Sequence, residues 1–168
     1  MADLLTNFER SVDDVVDLKS KGANIRAVNA SFGDEYRDVA SQKRWRDAVQ
    51  KLADADILLV AATANGNGSN MKVVEMAAVG EDVLSTMPGG DWEEMSGTSM
   101  ATPRVAATAA LMFAENPKLT AAEVRDMLVA TTEKDPDLKG KVSSSGKLDI
   151  DAAVAAARAS AGRVAQAA

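Results

Sequence analysis

An α/β fold, a contracted and mostly parallel sheet packed with helices, is predicted by three features of this 168-residue chain. Apolar residues recur alternately at helical and at extended spacing through the first third of the sequence. One extended run, Ile57-Leu58-Leu59-Val60-Ala61-Ala62, is apolar without a break, as a central parallel strand covered on both faces has to be. Apolar residues make up 46% of the chain but aromatic ones only 4%, so Ala, Val, Leu and Met must fill the interior, which suits close packing of helices on a sheet. The length points to one domain over 1–168, with a core over 1–160 and a frayed tail over 161–168.

Each element follows from its spacing. Leu4, Leu5, Phe8, Val12, Val15, Val16 and Leu18 recur every three or four residues and predict an amphipathic helix over 3–20, stopped near Gly22. Residues 25–32 read as a strand ending at Gly33-Asp34, and Trp45, Val49 and Leu52 carry a second helix over 41–55. The run 57–62 is then the second strand. A helix between two strands in this order implies a right-handed crossover. Asn65-Gly66-Asn67-Gly68-Ser69-Asn70 can only be a loop, and 71–79 supplies a third apolar segment, read as a strand. An extended piece over 83–87 precedes the Pro88-Gly89-Gly90 turn. Residues 99–114 form a helix whose only charge is Arg104, hence a largely buried one. Thr120 and Glu123 have the spacing of a capping box before a helix over 121–130. A polar stretch over 135–146 with room for a small hairpin leads to a last Ala-rich helix from 149 or 150, fraying after Gly162.

Charge and missing residue types narrow the function. The net charge of -6 disfavours a nucleic-acid partner. No stretch approaches the roughly 20 apolar residues of a membrane span, and residues 1–10 carry no apolar signal core, so localisation is left open. The chain has no Cys, which removes thiol catalysis and thiolate metal sites, and no His, which leaves only carboxylates for a metal. Asp135 and Asp137 lack EF-hand spacing and read as solvated charge, so neither metal nor cofactor is expected.

The chemistry concentrates at Ser99. A serine in the first turn of a buried helix lies beside unpaired backbone N–H groups and the positive end of the helix dipole. Both stabilise an oxyanion on an attacked carbonyl, and Asn65, in the loop after the second strand, is a candidate amide donor to it. Gly97 permits close approach of a substrate or an unusual backbone angle. The plainer alternative makes Thr98 or Ser99 a helix N-cap and the glycines turns.

Gly97-Thr98-Ser99-Met100-Ala101-Thr102-Pro103, followed by Val105-Ala106 and Ala109-Ala110-Leu111, closely resembles the nucleophile segment of the subtilisin-like serine proteases, peptidase family S8. Val28-Asn29-Ala30-Ser31-Phe32-Gly33 resembles that family's substrate-binding strand, and Val60-Ala61-Ala62-Thr63-Ala64-Asn65 the segment ending in its oxyanion asparagine. Val83-Leu84-Ser85-Thr86, Asn116-Pro117-Lys118-Leu119-Thr120 and residues 140–153 also match, in the family's order. The resemblance implies a subtilisin-like core and peptide-bond hydrolysis. It puts Ser99 at the nucleophile position, Asn65 at the oxyanion position, and Ser31, Phe32 and Gly33 along the edge that pairs with an extended peptide.

Departures from the family pattern qualify this. The family's catalytic aspartate and histidine belong to a more N-terminal part with no counterpart here, and the chain is shortened between Asn70 and Val73, so 71–79 should pair closer to the central strand. Arg104 stands at a non-catalytic histidine position, Ala64 and Ala107 replace glycines, and Val79 replaces a proline. A related family uses a glutamate–aspartate pair with its serine; here Glu75, Glu93 and Glu94 are near in sequence, but nothing in the sequence sets them behind Ser99. A serine hydroxyl without a base is a poor nucleophile. The expectation is a chain that is inactive or very weak alone. Two alternatives stay open: one half of a split hydrolase completed by a partner chain, or a structural module that holds an extended peptide or a second copy by strand addition.

Overall fold

The computed structural model describes residues 3–32, 38–63 and 74–166, with side chains to residue 162. Helix α1 (Leu4–Ser20) starts behind Asp3, whose carboxylate accepts the Thr6 N–H at 2.6 Å, and its 3- and 4-residue spacing buries Leu5, Phe8 and Val12. Helix α2 (Val39–Asp54) begins two residues before the predicted start because Asp38 caps it, accepting the Ser41 N–H at 2.8 Å. Between and after these helices lie strands β1 (Ala27–Ala30) and β2 (Leu58–Ala61), paired in parallel with Ala27 opposite Leu58 and Ala30 opposite Ala61.

Period-two alternation divides this two-stranded sheet between two cores. Ile57, Val28 and Leu59 face Phe8, Val12, Ala48 and Leu52 of α1 and α2. Leu58, Ala27 and Val60 face the other way. There they meet helices α3 (Thr98–Glu115), α4 (Ala121–Ala130) and α5 (Ile150–Gln166), through Met112, Phe113, Val124, Leu128 and Ala157. The run thus has helices on both faces over 57–60, as its composition predicts, but Ala61 is exposed and β2 pairs only with β1 among the described residues, so it is not a central strand. Each large side chain sealed here, such as Leu52 or Met112, contributes about 2 kcal/mol. Thr120 closes the predicted capping box on α4, and α5 continues past Gly162 to Gln166.

Three details differ from the sequence reading. Residues 74–79 add no third strand beside β2. They run along the C-terminal hairpin formed by β5 (Glu133–Lys134) and β6 (Gly146–Lys147), with a bridge from Ala77 to Lys147 and the Leu148 N–H on the Ala77 carbonyl at 2.7 Å. That hairpin's open edge satisfies the main-chain groups of the segment. The piece over 83–87 is one arm of an antiparallel hairpin, β3 (Val83–Thr86) with β4 (Trp92–Met95). Finally, α3 is buried along Thr102, Thr108, Ala109, Met112 and Phe113, while Arg104, Ala107, Ala110, Leu111 and Ala114 are exposed. Its low charge therefore reports an outward apolar stripe as well as a buried one.

Candidate functional site

Ser99 occupies the second helical position of α3, half-buried, at the C-terminal end of β1. The helix is capped by neither Thr98 nor Ser99. Its N-cap is Gly97, at φ 153°, with no side-chain cap bond, a backbone state that excludes side chains with a Cβ in practice. Freed from capping, the two hydroxyls reach across to the strand ends. Thr98 Oγ1 donates to the Thr63 carbonyl at 2.5 Å, just beyond β2, and Ser99 Oγ donates to the Ser31 carbonyl at 2.9 Å, just beyond β1.

Ser31 answers with the reverse bond, its hydroxyl donating to the Ser99 carbonyl at 2.8 Å. Pro103 explains why that carbonyl is available. In an α-helix the carbonyl of residue 99 would accept the N–H of residue 103, and proline has none. The orphan acceptor is satisfied by a side chain from the strand instead. A proline four residues after the serine is the sequence signal for this contact.

A second set of contacts fixes the approach to Ser99 from the hairpin. Gly97 N–H donates to the Gly80 carbonyl at 2.7 Å, and Ser96 Oγ accepts the Asp82 N–H at 2.9 Å. A Cβ on Gly80 would lie 2.5 Å from the Gly97 carbonyl oxygen, so only glycine lets the segment pass this close to the helix start. Neither role was legible in the sequence, because each depends on a neighbour at least 14 residues away.

Of the predicted site residues, Ser31 and Ser99 are brought together. Phe32 lies next to them with its ring edge-on to Phe8, centroids 5.9 Å apart, and Phe8 in turn stacks on Trp45 at 4.3 Å. That side chain ties the strand end to the α1–α2 core. Asn65 and Gly33 lie outside the described residues. The carboxylates near in sequence are directed elsewhere: Glu75 pairs with Arg125 of α4, and Glu93 and Glu94 are exposed on β4. Asp135 caps a 3₁₀ turn, Pro136–Leu138, accepting the Asp137 N–H at 2.9 Å. Chemically, the cluster offers a serine hydroxyl beside a helix N-terminus, where a negative oxygen is stabilised. Among the described residues the acceptor of that hydroxyl's proton is a main-chain carbonyl.

Comparisons with known proteins bear on the family and the fold. The model of the subtilase family, peptidase S8, matches residues 67–153, just over half of the chain. The chain is 52% identical over 62 residues to the cell wall-associated protease of Bacillus subtilis (strain 168), covering 37% of this chain and 7% of that protein. It is 44% identical over 70 residues to subtilisin of Bacillus pumilus, covering 42% of this chain and 24% of that protein. The matched stretches thus span less than a quarter of these relatives. Among solved structures, subtilase cytotoxin SubAB superimposes with a TM-score of 0.79 at 18% identity, over 95% of this chain and 67% of that one. The prenylagaramide maturation protease PagA gives 0.72 at 22% identity, over 92% and 70%. These two share the fold, and the sequence match from residue 67 to 153 shows the kinship: the chain belongs to the subtilase family.

Proposed function

We propose that this chain carries the nucleophile side of a serine endopeptidase site, with Ser99 as the nucleophile position, and that its 168 residues alone do not turn over peptides. The observation that carries this reading is the Ser99 hydroxyl bonded to the Ser31 carbonyl at 2.9 Å. An amide carbonyl accepts a hydrogen bond but takes no proton at neutral pH, so attack on a peptide would need a base that this serine does not have among the described residues. Asn65 is proposed as the oxyanion donor, and the main chain of Ser31, Phe32 and Gly33 as the edge that pairs with substrate. A fluorophosphonate probe followed by peptide mass mapping tests the reading: a folded chain should show no adduct at Ser99, and stoichiometric labelling would overturn it.

A second reading is favoured by the outward stripe of α3. Ala107, Ala110, Leu111 and Ala114 are exposed and apolar, with Leu111 51% exposed. Such a face is cover for another polypeptide, which could bring the missing base. Probe labelling that appears only after a second subtilase segment is added would establish complementation. Self-association through the same face would show as a dimer in light scattering that Leu111→Glu dissociates.

A further inference from the structure

The β3–β4 hairpin concentrates carboxylates without nearby cations beside exposed large apolar side chains. Elsewhere several carboxylates are met by cations, Glu9 by Arg44 at 2.5 Å, Asp13 by Lys51 at 2.6 Å and Glu115 by Arg158 at 2.7 Å. Those without an ion pair among the described residues, such as Asp14, Asp54 and Asp151, are scattered along separate helices. Between residues 81 and 95 the chain places Glu81, Asp82, Asp91, Glu93 and Glu94, and there is no Lys or Arg anywhere from 74 to 103. None of these five forms an ion pair among the described residues. The strand pairing sets Leu84 opposite Glu94 and Thr86 opposite Trp92, so Leu84, Trp92 and Glu94 share one face; Val83, Met95 and Glu93 share the other. Leu84 is 58% and Trp92 65% exposed.

We infer that this hairpin is a docking surface for an extended cationic peptide, with apolar side chains seated on Leu84 and Trp92 and Lys or Arg side chains against Glu93, Glu94 and Glu81. Charge complementarity selects this occupant. A second copy would bring the same unpaired carboxylates face to face in a chain of net charge -6, which is repulsive. The sheet has only two strands, so each arm keeps one edge without a ladder partner among the described residues, open to an added strand. Tryptophan is enriched among the residues that anchor protein interfaces. Because β4 runs into Ser96 and Gly97, a peptide held there is delivered to the start of α3.

The test is fluorescence anisotropy on the full chain with labelled Lys-Leu-Lys-Phe-Lys-Lys, ends blocked, whose apolar side chains share one face when extended, against Glu-Leu-Glu-Phe-Glu-Glu. The lysine peptide should bind with Kd on the order of 100 μM at about 50 mM NaCl, at least about tenfold tighter than the glutamate peptide. Raising NaCl to about 0.5 M should weaken it severalfold. The triple variant Trp92→Ser, Glu93→Gln, Glu94→Gln changes only exposed side chains and should keep the far-UV spectrum while weakening binding at least about tenfold. Equal affinity for the two peptides overturns the inference, as does undiminished binding by the triple variant. So does a dimer in light scattering that the triple variant dissolves, which would assign the face to a second copy. No turnover is read, so this result and the labelling of Ser99 fail independently.

Discussion

The two ends of β1 are fastened to the α3–α4 side by opposite chemistry. At its entry, Arg26 lies 4.3 Å over the Phe113 ring, donates to the Pro117 and Leu119 carbonyls, and pairs with Asp56 at 3.2 Å. Asp56 in turn accepts the Ala121 N–H at the start of α4 at 2.6 Å. At its exit, Ser31 and Ser99 exchange two neutral hydroxyl bonds, and Asn29 Nδ2 also donates to the Ser31 hydroxyl at 3.0 Å. A cation dispersed over a ring, two carbonyls and a carboxylate is hard to replace by water. Two hydroxyl bonds of about 1 kcal/mol each are readily exchanged for a ligand's. The fold is clamped at one end of the strand and left exchangeable at the other, where the nucleophile position lies.

Breaking the clamp should have the largest effect. Arg26→Ala leaves carbonyls and Asp56 without their donor, and loses the ring contact. We expect about 3 kcal/mol of destabilisation, read from the urea midpoint. Thr120→Ala, which removes the α4 cap beside the same clamp, should cost about 1 kcal/mol by the same measurement. At the other end, Ser31→Ala should cost somewhat under about 1 kcal/mol, and in a Pro103→Ala background less still. The restored N–H at position 103 then serves the Ser99 carbonyl, so a double-mutant cycle should show non-additivity; strict additivity would refute the role given to Pro103.

Acid sharpens the contrast further. Hydrogen bonds from the Thr120 N–H and hydroxyl hold the Glu123 carboxyl below its ordinary value of 4.5. A carboxylate depressed on folding stabilises fully above its unfolded pKa, and that contribution fades as pH falls through the lowered folded value. Glu123→Gln should therefore flatten the acid limb of the stability profile below about pH 4.5. The Ser31–Ser99 pair contains no titrating group, so Ser31→Ala should shift that profile vertically without changing its shape.

The comparison also marks what could be read from sequence. Phe8 and Val12, Leu52, and Thr120 with Glu123 each announced a helix through local spacing, and the structure keeps each element within a few residues. β4 went unread because Trp92-Glu93-Glu94-Met95 has no period-two alternation; it is a strand only because its partner and the turn at 88–90 make it one. The outward stripe of α3 escaped for a related reason, since an uncharged helix looks buried whether or not anything covers it.

By itself, then, the sequence determined the helix and strand periods, the caps and the family, because these rest on residues within one or two turns of each other or on a contiguous motif. Tertiary structure decided the partners: Ser31 for Ser99, Arg26 for Phe113 and Asp56, and 74–79 for the C-terminal hairpin. Such pairings depend on which orphaned carbonyls, N–H groups and ring faces the packed elements bring within reach. Ser31 and Ser99, 68 residues apart, meet only because β1 and α3 pack together.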